Sequence, residues 1–281
     1  WGDSSPDFNA TNWTNVSHNY SIGLWTLLYT ITGQNGCNIT KTYKVFIGNN
    51  PAVGLGNPGN TDICISSPLT FPITGTENNP PGTTYTVTFN DGSTPTTFNH
   101  PPPASVTHTF LMSSCGTSST SGSTSYQNSF FASIAAINPC DQSSASVVPI
   151  RISTEPIANF SLPQPNSCVN NQICITNTST GGDSASSTSC AGPKLIWSIS
   201  PNIGFTLASG SLGNDNGSTN TNSWITGSPS ICPIFNAAGT YTITLKIGNR
   251  CGFDTETKTV CVEAPLVPLF TLSNNNGCAP L

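Results

Sequence analysis

The side chains able to do chemistry are few, and they fall into three sets. The largest is eleven cysteines, with no Cys-x-x-Cys pair and only three histidines in the chain. That pattern points to disulfides rather than to zinc, which wants four closely grouped thiolate and imidazole ligands. Persistent disulfides in turn imply an oxidising compartment outside the cytoplasm. A second set is the carboxylates of two tight turns, Gly2-Asp3 and Asp91-Gly92. Hard cations such as calcium take carboxylate and carbonyl oxygens, but a site converges several carboxylates and each turn offers one. Asp and Gly are also what a tight turn demands on steric grounds. The third set is the histidines. His18 and His108 each stand two residues before an aromatic, Tyr20 and Phe110, and are the candidates for acid–base work. His100, in Asn99-His100-Pro101-Pro102-Pro103, reads as a surface-loop residue. There is no Gly-x-Ser-x-Gly elbow, no His-Glu-x-x-His zinc motif and no phosphate-cradling Gly-rich loop. The expectation is therefore a chain with no catalysis of its own and no cofactor.

The elements that position these residues recur along the chain. Trp1-Gly2-Asp3-Ser4-Ser5 leads to His18-Asn19-Tyr20, to the strand Gly23–Ile31 and to Cys37. Phe89-Asn90-Asp91-Gly92-Ser93 leads to His108-Thr109-Phe110, to Phe130, Ala132, Ile134 and Ala136, and to Cys140. Trp197-Ser198-Ile199-Ser200-Pro201 leads to Pro233-Ile234-Phe235, to Gly239–Ile247 and to Cys251. Repetition at a domain-sized spacing means separate similar modules rather than one large core. Within each copy apolar and small polar residues alternate, as in Trp25, Leu27, Tyr29 and Ile31 or Tyr241, Ile243, Leu245 and Ile247, which is the signature of half-buried strands. Further strands are expected over Thr42–Ile47, Val147–Ile152 and Lys258–Val262, each followed by a proline-bearing, stiffened junction. No amphipathic helix of ten residues is visible. With 25 Gly and 23 Pro between short strands, the expected class is all-β, a rod-like array of tandem immunoglobulin-like β-sandwich modules.

The expected division is 1–51 for the C-terminal part of a first module, 52–155 and 156–264 for the second and third, and 265–281 for the first strand of a fourth. Leu269-Phe270-Thr271-Leu272 to Cys278 matches Phe160-Ser161-Leu162 to Cys168. Both ends thus read as falling within a module, as in a piece of a longer polypeptide. Polar inserts at Ser113–Ser125, Gly181–Ser189 and Ser209–Ser223 read as flexible surface loops.

Only 7% of residues are charged, against about 25% usually, and the formal net charge is −5. Nucleic-acid binding needs a concentrated basic face, which seven scattered cations do not make. No run of about 18 apolar residues is present to span a membrane.

The turn, the His-x-aromatic and the Gly-led alternating strand resemble the PKD (polycystic kidney disease) domain. The match is closest in Trp1-Gly2-Asp3, His18-Asn19-Tyr20 and Gly23–Ile31. In the third copy Ser198-Ile199-Ser200 replaces the turn and Pro233 stands in place of histidine. Cysteine-bearing, Asn/Ser/Thr/Gly-rich and Lys-poor repeats of this kind look like the giant cell-surface adhesins of Bacteroidota, including SprB-type gliding-motility adhesins exported by type IX secretion. The resemblance implies an extracellular surface filament whose repeats bear load and display loops, facing an extracellular surface, a polysaccharide or neighbouring copies. It also implies that His18 and His108 pack and hydrogen-bond inside their modules. The alternative is a carbohydrate-binding or linker region of a large secreted polysaccharide-degrading enzyme.

In a seven-strand sandwich the B–C and F–G loops share one pole, so Cys190 is expected to meet Cys251 there. Cys168, Cys174, Cys232 and Cys261 would then form two further bridges, in an undetermined pairing. Cys64, Cys115 and Cys140 are odd in number, leaving one free or crossing to a neighbour. Asp183-Ser184-Ala185 resembles the Bacteroidota O-glycosylation site, which makes Ser184 a candidate. Trp13 and Trp224, in or beside polar inserts, are the candidates for stacking on sugars.

Overall fold

In a computed structural model, residues 1–271 are described. The chain divides into two compact units: Trp1–Thr154 together with Ser184–Ala191, and Glu155–Asp183 together with the chain from Gly192 onward.

The first unit opens with a hairpin of β1 (Gly23–Thr32) and β2 (Asn38–Ile47), in register from Gly23↔Ile47 to Thr32↔Asn38. A central sandwich follows, built of β3 (Gly54–Leu55), β4 (Asp62–Cys64), β5 (Pro68–Thr74), β6 (Thr84–Phe89), β7 (Thr96–Asn99), β8 (Ser105–Thr109), β9 (Ser118–Ser121), β10 (Thr124–Gln127), β11 (Phe130–Ile137) and β12 (Gln142–Ser153). One sheet runs β4-β12-β11-β6-β7 and the facing one β3-β5-β8. Alternation dictates which residues meet between the sheets. Phe130, Ala132, Ile134 and Ala136 of β11 are buried, as are Tyr85, Val87 and Phe89 of β6 and Leu69, Phe71 and Ile73 of β5. Each large side chain so buried contributes about 1.5–3 kcal/mol.

The second unit repeats the plan. Its strands are β13 (Pro156–Ile157), β14 (Phe160–Ser161), β15 (Asn166–Cys168), β16 (Ile175–Asn177), β17 (Thr180–Gly181), β20 (Lys194–Ser200), β21 (Phe205–Ser209), β22 (Ser230–Phe235), β23 (Gly239–Asn249) and β24 (Gly252–Glu263). The intervening β18 (Ser184–Ala185) and β19 (Cys190–Ala191) pair with each other and belong to the first unit. The sheets are β15-β24-β23-β20 and β14-β16-β22-β21, enclosing Phe160, Trp197, Phe235, Tyr241, Ile243, Leu245 and Ile247. In both sandwiches the last strand takes a short parallel strand on its outer edge, β4 on β12 and β15 on β24. Paired antiparallel sheets of this order are immunoglobulin-like sandwiches, so the chain is an all-β array of them.

Cross-strand hydroxyl pairs replace charge on the wet faces: Thr70 with Thr107, Thr86 with Thr97, and Thr244 with Thr257. The polar inserts are more ordered than expected. Ser113–Ser125 contains β9 and turns into β10, and its buried Ser114 and Ser119 hydroxyls bond the Asn128 carbonyl and the Ser129 hydroxyl. Small hydroxyl residues fit under a strand and satisfy backbone groups there, which composition alone does not reveal. The segment 265–281 is described only to residue 271, so the rest of the expected opening strand, Cys278 included, lies outside the described residues. Among the described residues no helix is long and apolar enough to cross a membrane.

Candidate functional site

The turn carboxylates and the histidines, far apart in sequence, come together. In the central sandwich Asp91 follows β6 and His108 lies near the end of β8. His108 Nε2 is 2.6 Å from Asp91 Oδ2, and the other carboxylate oxygen accepts from the Ser93 hydroxyl at 2.6 Å and the Ser93 amide at 3.1 Å. The imidazole is stacked on Phe89, with centroids 3.8 Å apart, and meets the edge of Phe110 at 4.6 Å. The first copy has the same arrangement. Asp3 accepts from His18 Nε2 at 2.6 Å, the Ser5 hydroxyl at 2.5 Å and the Ser5 amide at 3.1 Å, and His18 lies between Trp1 and Tyr20. Backbone shape makes this possible. Ser4 and Gly92, the residues between Asp and Ser, both take positive φ, 71° and 87°. Gly2, also at φ 87°, lies where an added Cβ would sit 2.1 Å from the Thr26 carbonyl oxygen, so a side chain is excluded there.

Electrostatics follow from these contacts. Burial pushes the Asp91 carboxyl upward, but hydrogen bonds from the Ser93 hydroxyl, His108 and the Ser93 amide outweigh it and hold the group below the usual carboxylate range. Asp3 is held down chiefly by the Ser5 hydroxyl and then by His18.

Ser, His and Asp are the residue types of a nucleophilic triad, but the wiring here is different. A triad places imidazole between hydroxyl and carboxylate, so that one ring nitrogen accepts the serine proton. Here the hydroxyl and Nε2 both donate to one carboxylate. The serine proton is committed to aspartate; in the first copy Ser5 Oγ also lies 3.4 Å from His18 Nε2, but that nitrogen donates to Asp3 at 2.6 Å and so does not accept the serine proton. The carboxylates are likewise taken up by these hydrogen bonds rather than open to a cation, and among the described residues no group of three or more His, Cys, Asp or Glu converges. The constellation is a structural lock that ties the turn to β8 in the central sandwich. The C-terminal sandwich lacks it. There Trp197 donates from Nε1 to the Ser228 carbonyl at 2.8 Å, and the Tyr241 hydroxyl reaches the Gly204 and Ala237 carbonyls at 3.0 and 3.1 Å. His100, expected to be a loop residue on the surface, is half-buried, and its Nδ1 meets the Tyr85 hydroxyl at 3.0 Å.

The cysteines depart from the expected pairing. Cys190 is bonded to Cys115, 75 residues away, and not to Cys251. Cys174 is bonded to Cys232. Cys64 and Cys251 are also oxidised, whereas Cys37, Cys140, Cys168 and Cys261 are exposed free thiols. The physical reason is the course of the insert: Ser184–Ala191 leaves its own sandwich and joins the unit holding Cys115. The Ala185 amide donates to Ser153 Oγ and Asn128 Nδ2 to the Ser186 carbonyl there. Ser184 lies half-buried in β18 rather than in an open loop.

Sequence reasoning missed the asparagine two residues before each hairpin cysteine. Asn35, Asn138 and Asn249 each accept the amide of the following Cys37, Cys140 or Cys251 through Oδ1, closing the same turn three times. The thrice-repeated Asn-x-Cys spacing was the available signal. In the first unit this tip also grips the preceding junction: Asn138 Nδ2 donates to the Asn49 carbonyl at 3.0 Å and Asn50 Nδ2 to Asp141 at 3.1 Å. Asn79 adds two bonds to Ala52, at 2.8 and 2.6 Å.

The two tryptophan candidates separate. Trp224 is 3% exposed, donates to the Ser218 carbonyl and lies under the Lys246 ammonium, 4.6 Å from its ring, so its faces are not open to a sugar. An insert that folds over its own tryptophan looks polar in sequence because its outer surface is. Trp13 is 83% exposed, and its ring lies 6.4 Å from that of Tyr29.

No family model matches the chain, and no curated protein matches it. A search of solved structures finds, among others, the N-terminal eight immunoglobulin domains of Down Syndrome Cell Adhesion Molecule, at 12% identity and TM-score 0.36, covering 86% of this chain and 27% of that one. The I-band fragment I67–I69 of titin is 14% identical with TM-score 0.34, covering 79% and 68%. Drosophila OTK extracellular domains 3–5 are 11% identical with TM-score 0.29, covering 86% and 71%. The chain thus spans about a quarter of the length of the first of these.

Proposed function

We propose that this chain is a segment of a long extracellular adhesin or surface filament, in which immunoglobulin-like modules with boundaries near 51, 156 and 265 act as load-bearing spacers and display loops. The observation that carries the reading is the junction clasp, in which Asn138, Asn50, Asp141 and Asn79 bond the linker around Asn49–Ala52. A spacer needs its joints held as firmly as its cores, and here polar side chains are used for that. Oxidised cysteines fit an oxidising exterior. The finer assignment, a gliding-motility adhesin of SprB type passed through type IX secretion, rests on the sequence resemblance to PKD-like repeats.

Single-molecule stretching of the full chain in reducing buffer tests the spacer role. Sandwiches of about 105 residues should unfold one at a time, each releasing roughly 350 Å of chain. A featureless extension at low force would overturn it. The second reading, a carbohydrate-binding or linker region of a secreted enzyme, is favoured by exposed Trp13 beside Tyr29. Glycan binding that disappears in Trp13→Ala would select that reading, with or without stepwise unfolding.

A further inference from the structure

A lysine, an asparagine and a glutamate meet where β14 and β24 of the C-terminal sandwich come together. Lys258 has the same parity along β24 as Val260 and Val262, which are buried, so its side chain starts on the core face of that sheet. It crosses to the facing sheet, where the ammonium lies 4.7 Å from the centre of the Phe160 ring and donates to the Phe160 carbonyl. It also donates to Asn159 Oδ1 at 3.1 Å. Glu256, two residues back on the same face of β24, places Oε1 3.8 Å from the lysine Nζ. The fold itself does not require a cation here. Counted from the matching parallel pairs Ser153↔Cys64 and Glu263↔Cys168, the corresponding stretch of β12 carries Val147 and Val148.

Asn159 is held as an acyl group awaiting attack would be. Its amide donates to Ser179 Oγ at 2.9 Å and its carbonyl accepts from the Thr178 amide at 2.9 Å, so the backbone is fixed on both sides. Its Oδ1 accepts from the Phe160 amide at 2.8 Å as well as from Lys258. That amide is aimed at the atom on which negative charge grows when a nucleophile adds to the carboxamide carbon. Glu256 is close enough to take a proton once the pair tightens. Nucleophile, acyl group, oxyanion donor and proton acceptor thus form one cluster, and well-oriented reactants held this way reach effective concentrations of about 10⁵ M or more.

We propose that Lys258 and Asn159 join in an intramolecular amide that ties β14 to β24. Glu256 takes a proton from the Lys258 ammonium, and the freed amine adds to Asn159 Cγ. The Nζ–Cγ bond forms and the Cγ–Nδ2 bond breaks, one amine proton passing to the leaving nitrogen. Ammonia departs and takes up the proton that Glu256 held. One ammonium is consumed and one released, so no oxidant, reductant or further reactant enters. The bond does not depend on the spacer reading, but its use does: a sandwich closed between its first and last strands carries tension through a covalent amide instead of extending.

Intact-mass measurement of the reduced full chain, with peptide mapping, tests this. The expected mass is below that of the sequence by one ammonia, with a branched peptide joining the segments that hold Asn159 and Lys258. Lys258→Arg keeps the cation and Asn159→Ala removes the acyl group; each should restore the full mass while β23 keeps its exchange protection, which separates loss of the bond from loss of the fold. In freshly synthesised chain, Glu256→Gln should form the bond at least about 100-fold more slowly. A parent chain of full mass with unbranched Asn159 and Lys258 peptides overturns the proposal. So does an ammonia loss that persists in Lys258→Arg, which identifies imide formation at an Asn-Gly pair such as Asn216-Gly217 instead. In the stretching experiment the C-terminal sandwich should add its step only in Lys258→Arg, while the central sandwich steps in both chains. A step from both sandwiches in the parent sinks the bond and leaves the spacer reading standing.

Discussion

Replacing His108 by alanine removes one partner of the lock while leaving the fold's apolar pattern intact, and its cost can be worked from the contacts. The 2.6 Å bond to Asp91 is charge-assisted, a class worth about 1.5–3 kcal/mol. The stacked Phe89 and edge-on Phe110 contacts add about 0.5–1.5 kcal/mol each. Asp91, only 7% exposed, keeps its two Ser93 bonds, so it is not stranded without partners and the loss stays below the sum. We expect about 3 kcal/mol, or a fall of roughly 14 °C in the melting temperature of a domain this size. Tryptophan fluorescence is blind here, because all five tryptophans lie outside residues 52–154. Hydrogen exchange of the Phe130–Ile137 peptide by mass spectrometry reads the central core directly. The same lock sets an acid dependence. Asp91 is held below its unfolded value, so its contribution is present above about pH 4, the unfolded carboxylate value, and is lost as pH falls through the folded value. Asp91→Asn should flatten that acid-side loss of protection. A His108→Ala core protected to within about 0.5 kcal/mol of the parent, or an acid dependence unchanged in Asp91→Asn, would refute the reasoning.

Three further outcomes are expected. Ser4 occupies a left-handed position that Gly92 fills in the second copy, so Ser4→Gly should stabilise the first turn by about 0.5–1 kcal/mol, seen as slower exchange of the Trp1–Ser5 peptide. Alkylation of the native chain should label Cys37, Cys140, Cys168 and Cys261 and spare Cys115, Cys190, Cys174 and Cys232 until reduction; a linked Cys190–Cys251 peptide would contradict the pairing. Trp224→Ala should cost the C-terminal sandwich about 3–5 kcal/mol, followed by Trp197 fluorescence in urea, whereas Trp13→Ala should stay within about 0.5 kcal/mol.

Much of the fold is legible because alternation is a local signal. Tyr241, Ile243, Leu245 and Ile247 read as one face, and they are one buried face. The same signal in Trp25, Leu27, Tyr29 and Ile31 predicts which side they share but not whether anything covers it, since burial depends on a second sheet. The lock was half legible. His18, His108, Asp3 and Asp91 stand out as residue types, but no rule of spacing says that a carboxylate 17 residues upstream meets a given imidazole. Trp224 and the Cys115–Cys190 bond were hidden for a related reason. Both depend on where a Ser/Gly/Thr insert travels, and such inserts carry no periodicity from which to read a path.

The insert Ser184–Ala191 makes the sharpest case. It has two short strands, a hydrogen bond to Ser153, another from Asn128, and a disulfide to Cys115. Of its side chains only Ala185 is buried, so apolar burial alone contributes little to holding it. The bond closing 75 residues is the stronger restraint, since cross-linking a loop of that length removes about 4 kcal/mol of unfolded-chain entropy in the loop-closure model. Cys190→Ser should therefore release this segment selectively. Peptides covering 184–191 are expected to exchange at least tenfold faster, while β23, whose core face is fully buried, keeps its protection. Uniform loss across both peptides would mean that the bond supports the whole second unit instead. No change in either would mean that the two short strands and their hydrogen bonds hold the insert without the disulfide.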